Sequence, residues 1–152
     1  MAGLRIYLAA PWIFKEVAKT VADQFRAAGF NISSRWIDFH GDSDDVKVLE
    51  QEAMNDIQDM LNSNGMVVLQ LSKSEGKAFE QGFILAASQF TGMNNKIIVV
   101  TPDGATGNVF QNLQDAYTLV PTVEGAIEEC KKWNGYIQYA ELVTEDGNGT
   151  VQ

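Results

Sequence analysis

The chain reads as one α/β domain: a doubly wound, five-stranded parallel sheet with helices on both faces. Three observations predict it. Apolar runs of strand length alternate with longer segments of helical periodicity. The run Gly65 to Leu71 is apolar almost throughout, as suits a central parallel strand covered on both faces. The 152 residues amount to one domain, and 45% hydrophobic residues are enough for one continuous core.

The elements follow in order. Leu4 to Ala10 is a buried strand. Trp12 to Ala28 is an amphipathic helix, with Phe14, Val17, Ala18, Val21 and Phe25 at helical spacing and Gly29 as its stop. Phe30 to Trp36 is a second strand. Ser43 opens a helix reaching about Ser63, with Asp44 and Asp45 in a first turn whose dipole favours acids. Gly65 to Leu71 is the third strand, Gly76 to Phe90 a helix, Lys96 to Thr101 the fourth strand, Ala116 to Val120 the fifth, and Thr122 to Trp133 the last helix. The domain is expected over 1–134, with 135–152, which ends in a Gly-, Asn- and Asp-rich stretch, as a flexible extension.

Charge and composition exclude several classes. The net charge is −9 and the pI about 4.4. Such a surface repels nucleic-acid phosphates and anionic lipid heads, so no nucleic-acid polymer and no membrane is expected as partner; a small nucleotide in a local pocket remains compatible. No apolar run approaches the roughly 18 residues of a membrane span. The start of the chain leads straight into a strand, without a signal-peptide pattern, and a cytoplasmic protein is expected. The single cysteine, Cys130, forms no intrachain disulfide and is expected to be buried in the last helix.

Ligands of doubly wound sheets bind beyond the carboxyl ends of the strands. Four loops meet there: Ala10–Trp12, Trp36–Asp42, Ser72–Gly76 and Pro102–Asn108. The most informative segment is Ser72-Lys73-Ser74-Glu75-Gly76-Lys77-Ala78-Phe79-Glu80-Gln81-Gly82. Glu80 falls in the first or second turn of a helix, on a face shared with Ile84 and Ala87. The helix dipole favours its ionised form, and an ionised carboxylate at a strand end suits attack on a sugar carbon. On the residues alone, a Glu that merely complements the dipole is the commoner case. Asp56 shares a face with Met60 that should turn inward, whereas Asp59 reads as a solvated acid. Tyr7 sits mid-strand, with a hydroxyl able to reach a carboxylate or to find any core partner.

Other sites find less in the sequence. His40 is the only histidine and there is no cysteine pair, so no metal site is expected. Gly76-Lys77 lacks phosphate-loop spacing, and Ala9-Ala10-Pro11-Trp12 lacks the glycine fingerprint of a dinucleotide site.

Taken together, these segments resemble the nucleoside 2-deoxyribosyltransferase family, including its relatives that hydrolyse deoxynucleoside monophosphates. Arg5-Ile6-Tyr7-Leu8-Ala9-Ala10-Pro11 looks like the family's opening strand, and Asp56 begins its pattern of Asp, three residues, an apolar residue, three residues and Asp. Ser74 to Gly82 looks like the segment with the catalytic Glu in a Glu-x-Gly setting. Gly107-Asn108-Val109-Phe110 looks like a late segment that contacts the sugar, often of a neighbouring subunit, and Ser34-Arg35-Trp36 is similar to a motif of some members. The likeness spans about residues 4 to 133. Two positions depart from the pattern. Its closing Asp is Asn64, expected to affect only helix–strand packing. Six residues before Glu80 stands Ser74, as in the monophosphate hydrolases, where the nucleoside transferases carry an Asp for the 5′-hydroxyl; Glu75 follows it.

The resemblance implies a flavodoxin-like fold and double displacement at C1′ of a 2′-deoxynucleoside, by analogy with retaining glycosidases. Glu80 would be the nucleophile, Asp56 or solvent the source of a proton or hydrogen bond for the leaving base, and Tyr7 the group orienting Glu80. Ser74, Gly76, Asn108, Pro11, Trp12 and Trp36 would bind substrate. No cofactor is required. The partners implied are a deoxynucleoside or deoxynucleotide, a free nucleobase and further copies of the chain in a homo-oligomer. Transfer between nucleosides is the leading expectation, and hydrolysis of a deoxynucleoside 5′-monophosphate the alternative. A nucleotide-sensing module without turnover would not need the set of Glu80, Asp56 and Tyr7. A flavodoxin-like FMN carrier would need a Ser/Thr-rich first loop that is absent.

Overall fold

A computed structural model of the chain describes residues 3–39, 43–91 and 96–133. His40 and the extension over 135–152 lie outside these residues. The strands are β1 (Arg5–Ala9), β2 (Asn31–Ile32), β3 (Gly65–Leu69), β4 (Lys96–Val100) and β5 (Tyr117–Val120). The helices are α1 (Lys15–Ala27), α2 (Val46–Leu61), α3 (Glu75–Thr91) and α4 (123–133). The five strands form one sheet in the order β2-β1-β3-β4-β5, with every pairing parallel.

This is the expected flavodoxin-like sheet. The step from β1 to β2 runs one way across the sheet, and the steps from β2 to β3 and β3 to β4 run the other. Right-handed crossovers therefore set α1 on one face and α2 and α3 on the opposite face. The reversal lies between β1 and β3, where their carboxyl ends open a crevice.

β3 is the sheet's centre and is buried along its whole length. It begins at Gly65, where a Cβ would collide with the Trp133 ring from α4. Asn64, just before it, accepts from the Arg5 backbone N–H through its side chain at 2.9 Å. The residue that departs from the family pattern thus ties a helix end to β1. α1 ends at Gly29 with a φ of 94°, a left-handed turn that glycine adopts without a Cβ penalty. Cys130 is buried in α4, and burial pushes its thiol up to about 12.

Several boundaries differ from expectation. The first helix begins at Lys15, after a separate 3-10 turn over Trp12–Phe14. Asp45, rather than Ser43, caps α2, accepting from the Lys47 N–H at 2.9 Å. The largest difference is β2, expected over Phe30 to Trp36 and found only at Asn31–Ile32. Side chains replace the missing ladder: the Leu8 N–H donates to Ser34 Oγ at 2.6 Å, and the Trp36 indole N–H donates to the Leu8 carbonyl at 2.9 Å. With Leu8 satisfied in this way, the backbone leaves the sheet as a 3-10 turn over Arg35–Asp38.

Candidate active site

A cavity of about 550 Å³ opens at the carboxyl ends of β1 and β3. Its walls include Trp12, Trp36, Asp56, Ser74, Gly76 and Glu80, drawn from four separate segments. Of the nine residues singled out from sequence, these six line it and Tyr7 reaches it through Glu80.

Tyr7 is fully buried in β1, and its hydroxyl donates to Glu80 Oε1 at 2.7 Å. Burial and the nearby carboxylates of Glu80 and Asp56 raise the phenol far above its ordinary value, so it stays a neutral donor. Glu80 differs from expectation in its charge. Burial pushes its carboxyl up to about 7, and the Tyr7 hydrogen bond and the Lys77 ammonium only partly oppose this. Desolvation outweighs the helix dipole at this position.

Asp56 stands across the cavity on α2. Burial, then the charges of Asp59 and Glu52, raise its carboxyl to about 6, against a lowering by Arg35. Its Oδ1 is buried and has no hydrogen-bond partner. A buried acceptor in that state has a large incentive to take up a proton or a ligand donor. Leu49, Glu52 and Asp56 all line the cavity, at helical spacing along one face of α2. The four-residue step from Glu52 to Asp56 was the signal in the sequence that would have found Glu52.

Asp59 is corrected from a solvated acid to a buried one. It accepts from the Arg35 backbone N–H at 2.8 Å and from Arg35 Nε at 2.7 Å. This clamp fixes the turn carrying Trp36 against the helix carrying Asp56. Trp12 lies 6.2 Å from Trp36 and 6.1 Å from Phe39, centroid to centroid, giving the cavity an aromatic wall. Phe39 was missed because the loop after β2 shows no periodicity. Pro11 is buried and does not line the cavity; its carbonyl accepts from the Phe14 N–H at 2.9 Å and starts the turn that presents Trp12.

Ser74 precedes α3, and its hydroxyl accepts from the Lys77 N–H at 3.4 Å. Glu75 is exposed and lines a second, smaller cavity of about 310 Å³ instead of the first. Asn108 lies in that second cavity too, apart from Glu80, and accepts from the Phe110 N–H at 3.0 Å. Ser74 and Lys77 form the partition, contributing to both. Among the described residues, no group of three or more His, Cys, Asp or Glu is arranged to hold a metal ion, and no helix is long and apolar enough to cross a membrane.

The arrangement is thus a paired Tyr–Glu facing an acid of raised pKa, beside an aromatic wall. Compared with solved structures, the chain shares the fold of the CMP N-glycosidase BcmB from Clostridium botulinum. The TM-score is 0.52 at 17% identity, covering 84% of this chain and 98% of that one. No protein-family profile and no curated protein sequence matches the chain.

Proposed function

We propose that the protein cleaves the N-glycosidic bond of a nucleotide through a covalent glycosyl–Glu80 intermediate. The observation that carries this is the 2.7 Å bond from Tyr7 to Glu80 Oε1 in a cavity that Asp56 shares. Held through Oε1, the carboxylate keeps Oε2 for attack on C1′. The C1′–N bond breaks, and the base leaves with a proton from Asp56 or solvent. Water, or a second base, then attacks C1′ and releases Glu80. The aromatic wall of Trp12, Trp36 and Phe39 suits a nucleobase. The unpartnered Asp56 Oδ1 suits a donor on the base edge. The fold shared with an enzyme described as a CMP N-glycosidase agrees with this reading.

For the 5′ end, the position of Glu75 favours a monophosphate. Its carboxylate lies outside the cavity, so it does not stand against a phosphate at the donors of Ser74 and the Gly76 backbone at the start of α3. A second reading is deoxyribosyl transfer between nucleosides without a phosphate. Asp44 and Glu52 in the same wall favour it, because they repel an anion. Chromatography of products separates the two. A 2′-deoxynucleoside, its 5′-monophosphate and the matching ribonucleotide are each incubated with protein, with and without a second free base. Free base from the monophosphate alone establishes hydrolysis; a new nucleoside formed only with added base establishes transfer.

A further inference from the structure

Lys77 is 3% exposed, which is rare for a lysine without compensation. Its ammonium donates to two carbonyls at and just past the end of β3, those of Leu69 at 3.5 Å and of Ser72. It sits one helical turn before Glu80, and both line the same cavity. That wall also carries the acids Asp44, Glu52 and Asp56, and Lys77 is its one cation among the described residues. We propose that Lys77 is a positioning residue for Glu80: its buried ammonium, tethered to the β3 end, is a fixed positive charge in the cavity wall that favours the ionised form of the nucleophile.

Among the groups facing Glu80, the Tyr7 hydrogen bond and Lys77 favour its ionised form, and Lys77 alone does so with a charge. From β1, Tyr7 gives one hydrogen bond and no charge. From α2, Asp56 adds negative charge, reinforced by Glu52 and Asp59. From α3, Lys77 opposes them, and the effect is mutual: Glu80 raises Lys77 while burial lowers it. A surface lysine would be screened by water; one held in the wall by backbone carbonyls is screened less. Two carbonyls would be served equally well by a neutral amide, so the tether alone does not explain a buried charge.

The proposal rests on Glu80 as nucleophile, and its primary readout does not depend on turnover. The Glu80 carboxyl is titrated by carbon NMR with labelled glutamate, its signal assigned by its loss in Glu80→Gln. In Lys77→Gln and Lys77→Met the midpoint is expected to rise by about one unit, a tenfold loss of ionised form on the acid side. Lys77→Arg is expected to restore it. Any activity shows a pH profile whose upper limb is displaced in the same direction, at unchanged KM. An unchanged midpoint in folded neutral variants overturns the proposal. So does a raised KM for the monophosphate with an unmoved pH profile, which makes Lys77 a phosphate ligand instead. Should the neutral variants not fold, coupling is read from the other side. The Lys77 midpoint, followed by labelled lysine, must fall in Glu80→Gln, since the interaction is reciprocal; an unchanged value overturns the proposal.

Discussion

The Tyr7 hydroxyl and the Glu80 carboxylate are 73 residues apart in sequence and 2.7 Å apart in space. β1 supplies one and α3 the other, and the neighbouring positions of β1 and β3 in the sheet bring them together. Replacing Tyr7 by Phe removes this bond without altering the ring packing. The bond lowers the Glu80 pKa, so its loss should leave less Glu80 ionised at pH 7 and displace the upper limb of the activity profile to higher pH. Turnover at pH 7 should fall about ten- to a hundredfold, the range for a lost hydrogen bond to a charged group. An unchanged rate and profile in Tyr7→Phe would show that Glu80 is oriented by other groups.

Activity should depend on pH as a bell. The productive form needs Asp56 protonated and Glu80 ionised. With Asp56 near 6 and Glu80 near 7 that form is the minor one, and the two limbs take apparent values close to 6 and 7 that belong to the pair, with the optimum between them. Rates of base release from pH 4 to 9 check this. A rate that climbs steadily to pH 9 would remove Asp56 as the acid.

Stability should show the cost of the site. Glu80 has a folded value of about 7 against an ordinary 4.5. Between these values the folded state binds more protons than the unfolded chain. The stability linked to Glu80 is therefore fully present below about 4.5 and is lost as pH rises through about 7. Glu80→Gln should be more stable than wild type at pH 8 by about 3 kcal/mol, and nearly equal at pH 4. Urea unfolding at both values measures it; equal stability at pH 8 would mean that Glu80 is not desolvated.

The Arg35–Asp59 clamp should matter to binding more than to chemistry. Asp59→Ala leaves the Arg35 backbone N–H without its acceptor and frees the turn that carries Trp36. A loss of about 2 to 4 kcal/mol in stability is expected. KM should rise several-fold with a smaller change in kcat, as steady-state kinetics at a permissive temperature would show. A kcat loss at constant KM would place Asp59 in the reaction itself.

Assembly is the expectation that follows from the segment after Gly107. Val109 and Phe110 are 74% and 61% exposed beside Asn108, and adjacent apolar exposure of this kind suits an interface. Light scattering should give a dimer or larger, and Phe110→Lys should dissociate it. A fully active monomer would end this reading.

Much of this was legible in the sequence because periodicity reports burial. The unbroken apolar run of β3 announced a central strand, and α1 showed its inward stripe in Ala18, Val21 and Phe25. The short β2 was not legible: Ser34 and Trp36 take over the pairing of Leu8 with side chains, and no local pattern records such a substitution. Asp59 was misread because a helical acid looks solvated until its partner, 24 residues earlier, is known. The state of Glu80 was also hidden. Its helix position suggests an ionised acid, but burial opposes this, and burial is set by tertiary packing that no local pattern records.

The most direct test of the central claim is base release by wild type and by Glu80→Gln, followed by chromatography under one set of conditions. Circular dichroism and a melting curve confirm that both are folded. If Glu80 is the nucleophile, the variant should lose a factor of about 10³ or more in turnover. A folded variant within about tenfold of wild type would contradict the account.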